Sequence, residues 1–201
     1  VTRLLLHEKS LNSSGYRSIA GVDEAGRGPL AGPVVACAVI IRDIRFKERI
    51  DDSKKLTPRR RESACREILE KSIVGIGIID EKVIDRINIY QATKKAMQMA
   101  VSKLKIPPDY CLVDGNMKIA TKSPLKCIVG GDSKSLSIAA ASIVAKVTRD
   151  DIMVKYDKLY PQYGFARHKG YGTKEHMAAL EMHGPSPIHR FSFKPVKKQN
   201  T

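Results

Sequence analysis

Apolar residues along the chain fall in short runs, cut apart by glycine, proline and charged stretches. The runs at 17–23 and 33–41 read as two strands joined by a Gly/Pro turn, and so as an antiparallel start. The period then changes. In KKLTPRRRESACREILEKS, Thr57 is placed to cap a helix, Pro58 suits its first position, and Ala64, Cys65, Ile68 and Leu69 form an apolar stripe. IVGIGIID, at 73–80, is a β-branched strand, and DRINIYQATKKAMQMAVSKL returns to helical spacing with Ala92, Ala96, Met99, Ala100 and Leu104 on one face. After the breaker PPD at 107–109, YCLVDG (110–115) and LKCIVGGD (125–132) are two more short strands. SLSIAAASIVAKVTRDDIMVKYDKLY is a long helical stretch whose small residues at the start let its backbone pack closely on a sheet. PQYGFARHKGYGT reads as a loop. TKEHMAALEMHG is a last helix, with Thr173 as cap and Gly184 as stop, and FKPVKKQNT is expected to be a mobile tail. This order predicts an α/β protein with a mixed sheet and flanking helices.

Charge narrows the function. The 201 residues carry 36 Lys+Arg against 21 Asp+Glu, a net of +15, which favours a polyanionic partner. No apolar stretch approaches the ~20 residues of a membrane span, and VTRLLLHEKS is too short in apolar residues for a secretory leader. The expectation is a cytoplasmic protein with no membrane contact. Cys37, Cys65, Cys111 and Cys127 are widely spaced and form no CxxC, so buried reduced thiols are expected. His7, His168, His176, His183 and His189 lack metal-site spacing.

Against this basic background, three elements deliver acids at strand ends: Asp23 with Glu24, Asp114 in LVDGN, and Asp132 in VGGDS. Each alone would pass for a turn former. Together they would repel and raise one another's pKa values unless a cation joined them, and oxygen-only ligands select Mg²⁺ or Mn²⁺. Asp23 and Glu24 point to opposite faces of a regular strand, so they are expected to share a site only if AGRG breaks the strand there. An acidic cluster in a basic protein points to phosphodiester hydrolysis with two metals about 4 Å apart.

At this point several motifs become recognisable. GVDEAGRGPLAGPVV, DDSKKLTPRRR, LVDGN, GGDSKSLSIAAASIVAKVTRD and YPQYGFARHKGYGTKEH, in this order between about residues 19 and 193, strongly resemble bacterial ribonuclease HII, the type 2 ribonuclease H. The resemblance implies a ribonuclease H-like fold over residues 16–193 with a C-terminal helical extension from about 160, flanked by an N-terminal extension (1–15) and a tail (194–201). It implies endonucleolytic cleavage of RNA in RNA–DNA hybrids and 5′ of ribonucleotides embedded in duplex DNA, leaving 5′-phosphate and 3′-hydroxyl. The family's metal-binding acids fall on Asp23, Glu24, Asp114 and Asp132, its glycine-arginine-glycine motif on Gly26, Arg27 and Gly28, and its junction-sensing tyrosine on Tyr171. A monomer without an evident protein partner is expected.

The residues fit that reading without exhausting the alternatives. Glycines let backbone groups approach a sugar, and a 2′-hydroxyl both donates and accepts; Gly26 and Gly28 also suit a tight turn. Arg27 suits a phosphate contact or a salt bridge to a nearby acid. Lys54, Ser133, Lys134 and Lys169 are candidate phosphate contacts, and Tyr171 between glycines suits stacking. A metal-dependent DNA nuclease or resolvase would share the acids but not a need for the 2′-hydroxyl. A non-catalytic RNA-binding protein would explain the charge but not the acids.

Overall fold

The computed structural model of the chain describes residues 2–51, 53 and 55–197. The apolar runs form strands β1 (Ile19–Ala25), β2 (Val34–Ile41), β3 (Ser72–Ile79), β4 (Tyr110–Asp114) and β5 (Leu125–Ile128), in one sheet of order β3-β2-β1-β4-β5. The β1–β2 and β2–β3 pairs are antiparallel, whereas β1–β4 and β4–β5 are parallel. Strand β2 is buried along nearly its whole length, which is why it reads as a continuous apolar run rather than an alternating one.

Helices cover both faces. Helix α1 (Leu6–Ser13) precedes the sheet; α2 (Pro58–Lys71), α3 (Glu81–Ser102) and α4 (Leu136–Leu159) follow its strands. Ala92, Ala96, Met97 and Ala100 of α3 pack on Ala20, Val22, Ala36 and Ala38 on one face. On the other, the alanines of α4 meet Cys37 and Val39, with α2 alongside. Helix α4 reaches β1 without a side chain between them, for a Cβ at Gly21 would collide with the backbone of Ser137 and Ile138.

Caps and stops follow their residues. Thr57 accepts from the Arg60 amide at 3.4 Å with Pro58 in the first turn, and Thr173 accepts from the His176 amide at 3.2 Å at the head of α6 (Lys174–His183), which Gly184 ends. Four expectations are corrected. Leu69 is half exposed, because the buried stripe of α2 is Ala64, Cys65 and Ile68, and Leu69 turns past it. Helix α3 starts at Glu81, capped by Asp80, and kinks at Asn88 (φ 64°), whose side chain caps the second half by accepting from the Gln91 amide at 3.1 Å. The glycine-rich loop contains the short helix α5 (Phe165–His168). The tail is not loose throughout: Lys194–Lys197 form α7 and Val196 is fully buried, while residues 198–201 lie outside the described residues.

The segment after α4 builds its own apolar layer. Tyr163, Phe165, Leu180, Ile188 and Val196 close over Met153 and over Leu30 and Ala31 of the β1–β2 connection. His176 and His189 are buried within it. At the other end, Glu8 of α1 caps α4, its Oε1 accepting from the Ser137 amide at 3.0 Å and from the Ser135 and Ser137 hydroxyls. No helix among the described residues is long and apolar enough to cross a membrane.

Two outcomes follow from this packing. Gly21→Ala must push α4 off β1, because the colliding atoms are backbone; chemical denaturation should register a loss near the upper end of the overpacking range, about 3 kcal/mol, and an unchanged midpoint would contradict the contact. Burial pulls the imidazoles of His176 and His189 down to about 4. The unfolded chain, with histidines near 6.5, then binds more protons than the folded one as pH falls. Stability should therefore decline from about pH 6.5 towards pH 4. Melting curves across that window should be flatter for a His176→Asn/His189→Gln double variant; an equal slope would contradict it.

Candidate active site

Strand β1 stays regular through its acids, pairing Asp23 with Cys37, Glu24 with Ala36 and Ala25 with Val35 of β2. The strand breaks where AGRG begins, ending at Ala25 ahead of Gly26 (φ +97°), so both acids lie just inside its last paired residues; the neighbouring strand opens the site further. Pairing of β1 to β4 ends at Val22 and Val113, so the last three residues of β1 have no partner on that side. Asp114 ends β4, and Asp132 sits in the turn Gly131–Ser133 just after β5. The Gly131 amide donates to Asp114 Oδ1 at 2.6 Å, which ties these two ends together. All four acids line one cleft of about 380 Å³.

The cleft is a poor place for uncompensated charge. Asp23 is buried, and burial first, then the charges of Glu24 and Asp114, hold its carboxyl well above the usual range. Its stabilising contacts are the Glu24 amide at 2.7 Å and the Ser142 hydroxyl of α4. Burial raises Glu24 as well, opposed by Arg27, whose guanidinium donates to Oε1 at 3.3 Å. Among the described residues no three acid, imidazole or thiol groups converge into a ready-made cage. The donors are nevertheless all oxygen, and no lysine or arginine pairs with Asp23 or Asp114 among the described residues. That set fits a hard cation resting on one or two carboxylates and completing its shell with water and a phosphodiester, the habit of Mg²⁺.

The second wall of the cleft is the Gly26–Gly28 loop. Gly26 has φ +97°, and any Cβ there would collide with the Arg149 side chain. Arg190, fully buried, donates to the carbonyls of Gly26 (2.6 Å), Arg27 (3.0 Å), Pro29 (2.8 Å) and Gly32 (2.9 Å). Arg149, on α4, donates to Ala31 (3.1 Å), Pro33 (3.0 Å) and Lys169 (3.0 Å). Tyr171 stands across from Gly28, whose missing Cβ would lie 3.6 Å from the ring.

Of the candidates read from the sequence, the cleft gathers Asp23, Glu24, Gly26, Arg27, Gly28, Asp114, Asp132 and Tyr171. Arg27 takes the salt-bridge role here, with Glu24. Ser133 and Lys134 are exposed and turned to local carbonyls, Gly130 at 2.8 Å and Val129 at 2.5 Å, and neither lines the cleft. Lys169 faces a neighbouring hollow and donates to Ala166. Lys54 lies outside the described residues. Sequence reasoning missed Ser53, Ser142, Lys146 and Arg149, which also line the cleft. The three α4 residues among these share one face by helical spacing, a signal hidden in an alanine-rich stretch. Lys146 is held 2.7 Å from Asp150, and burial lowers its pKa.

Comparison with known proteins agrees with this arrangement. The family model "Ribonuclease HII" matches residues 20–196. A Ribonuclease HII from Geobacter sulfurreducens is 58% identical over 185 residues, covering 92% of this chain and 85% of its own length. Another, from Acholeplasma laidlawii, is 53% identical over 195 residues and 96% of both. The crystal structure of ribonuclease H2 from Pyrococcus horikoshii superposes with a TM-score of 0.77 at 27% identity, over 91% of this chain and 97% of that one. The RNase HII in a complex with PCNA from Archaeoglobus fulgidus gives a TM-score of 0.77 at 25% identity, over 89% and 96%. With its acids at the strand ends and its glycine-arginine-glycine loop intact, the chain belongs to the ribonuclease HII family of endoribonucleases.

Proposed function

We propose that this protein is a divalent-metal-dependent endonuclease that cuts the RNA strand of RNA–DNA hybrids and incises 5′ of single ribonucleotides in duplex DNA. The observation that carries this reading is an adjacency: the acidic cluster and the Gly28–Tyr171 gap are two walls of one cleft. A nucleotide whose phosphate sat over the acids would share the cleft with both the loop and the ring.

The division of labour follows from the residues. Asp23, Glu24, Asp114 and Asp132 would hold Mg²⁺ or Mn²⁺, which supplies Lewis acidity and lowers the pKa of a coordinated water. Asp23 is kept in place by the Ser142 hydroxyl, itself 3.0 Å from Ser53. Gly26 and Gly28 offer backbone groups to the 2′-hydroxyl other than the carbonyls of Gly26 and Arg27, which are already committed to Arg190. Tyr171 stacks on the sugar at the ribonucleotide–deoxyribonucleotide junction. Arg27 pairs with Glu24, and would be free to meet a phosphate if a cation held that carboxylate instead. The net charge of +15 supplies the affinity for the duplex that does not depend on sequence. Products would carry 5′-phosphate and 3′-hydroxyl ends.

Two experiments test the reading. Asp114→Asn should fold normally, because the amide oxygen still accepts from Gly131. It should lose more than about 10²-fold in cleavage, since even outer-shell changes at metal sites cost 10–100-fold; near-normal turnover in saturating Mg²⁺ would defeat the assignment. A duplex with one ribonucleotide, compared with its all-DNA control, should be cut on the 5′ side with discrimination of ~10⁴ or more. Tyr171→Ala should lower that cleavage while leaving Mn²⁺ binding unchanged. Equal cutting of both duplexes by the wild type would favour a DNA nuclease instead.

A further inference from the structure

His176 and His189 are wholly buried and do not line the cleft. Their hydrogen bonds nevertheless form a single line that ends at it. The Ser186 amide lies 2.9 Å from His189 Nδ1, His189 Nε2 lies 2.9 Å from His176 Nε2, and His176 Nδ1 lies 2.9 Å from the carbonyl oxygen of Tyr171. The two ends determine every proton between them. An amide N–H can only donate, so His189 Nδ1 accepts and its neutral ring carries the proton on Nε2. That proton goes to His176 Nε2. The proton of His176 is thereby placed on Nδ1, aimed at a carbonyl that can only accept. Both rings are neutral in this arrangement, in keeping with their depressed basicity.

The segment the line holds is only partly held by its own turn, in which the Tyr171 amide donates to the His168 carbonyl at 2.9 Å and the Thr173 amide shares the Tyr171 carbonyl at 2.8 Å. Lys169 (φ 52°) and Gly170 (φ +82°) are consecutive residues with left-handed backbone, and such conformations persist only when surroundings impose them. Here the surroundings take three carbonyls in succession. Arg149 donates to Lys169 at 3.0 Å, the Leu30 amide to Gly170 at 2.8 Å, and His176 to Tyr171 at 2.9 Å. The side chain of Tyr171 is 45% exposed, so its position derives mainly from this backbone. Packing keeps the imidazoles themselves in place: His176 stacks on His168 with ring centroids 4.5 Å apart and meets Phe165 edge-on at 5.5 Å.

We propose that His176 and His189 are positioning residues for Tyr171, a directional relay through which the C-terminal layer sets how well the enzyme reads the ribonucleotide–deoxyribonucleotide junction. This inference rests on the role of Tyr171 proposed above. It assigns the two histidines an effect on substrate choice rather than on the hydrolytic step. A uniform RNA–DNA hybrid presents no junction at an internal cleavage site and so gains nothing from the relay.

The test uses the full chain on two substrates, a DNA duplex with one ribonucleotide and a uniform hybrid. His176→Phe keeps the aromatic packing and removes the donor. It should lower kcat/KM on the single-ribonucleotide duplex by at least about tenfold, given that misplacement by 1 Å can cost 10²-fold, with a much smaller loss on the hybrid. His176→Asn, whose amide can take the place of Nδ1–H, should recover most of it. Once Tyr171→Ala is in place, adding His176→Phe should cost nothing more on either substrate. Equal losses on both substrates, or a loss that persists in the Tyr171→Ala background, would reduce the histidines to stabilisers of the fold. Tyr171→Ala alone reports separately on the tyrosine: unchanged cleavage there would remove its junction role whatever the histidine variants do. Should His176→Phe fail to fold, ¹⁵N spectra of the wild-type imidazoles decide. A proton on Nδ1 of His176 and on Nε2 of His189 supports the relay, and the reverse tautomers overturn it.

Discussion

Two guanidinium groups lie inside this protein with backbone carbonyls, not carboxylates, as their hydrogen-bond partners. Arg190 and Arg149 between them bind seven carbonyl oxygens, six from the stretch Gly26–Pro33 and one from Lys169. A buried cation is costly unless every donor is satisfied. Burial pulls Arg190 down to about 9 and Arg149 to about 10, values at which both still carry their charge at neutral pH. The obligation is mutual. The loop turns these carbonyls inward towards the guanidinium donors, and removing either arginine would leave several of them without that donor. Directing those oxygens towards Arg190 also leaves the loop's other side to form the wall of the cleft.

The acids depend on a different constraint, the unequal lengths of neighbouring strands. Strand β1 runs three residues past its last pair with β4, and two of those are Asp23 and Glu24. Asp114, one residue past the last pair of Val22 with Val113, ends β4 beside them. The close seat of α4 on Gly21 then brings Ser142 up to Asp23 and extends the same helix face to Lys146 and Arg149. One helix thus touches the acidic wall through a serine and the loop wall through an arginine.

Much of this was legible in the chain. The strands announced themselves by β-branched runs, Thr57 and Thr173 by their cap positions, and the acids by standing at the ends of apolar runs where a carboxylate has no reason to be buried. What stayed hidden shares one cause. Arg149 and Arg190 carry no signal in the sequence, because their partners are main-chain oxygens that leave no mark on a side-chain pattern. His176 and His189, thirteen positions apart, fit no ligand spacing, and their partners are each other and the backbone. The break at AGRG was readable from its glycines, but the early end of the β1–β4 pairing was not, because β1 alone does not show where its neighbour stops. Val196 was lost in a basic tail for a similar reason: one apolar residue among lysines finds its place only when a separate layer exists to receive it.

The arginine clamp also has a timetable. Arg190 lies 164 positions after Gly26, the carbonyl it holds. At translation rates of 5–20 residues per second, a growing chain takes on the order of 10–30 seconds to bridge that interval. Throughout it β1, β2 and the loop between them are already made, while the loop still lacks the arginine that holds its carbonyls. The cleft is therefore assembled from both ends of the chain, and a nascent chain acquires its finished form only near the end of synthesis.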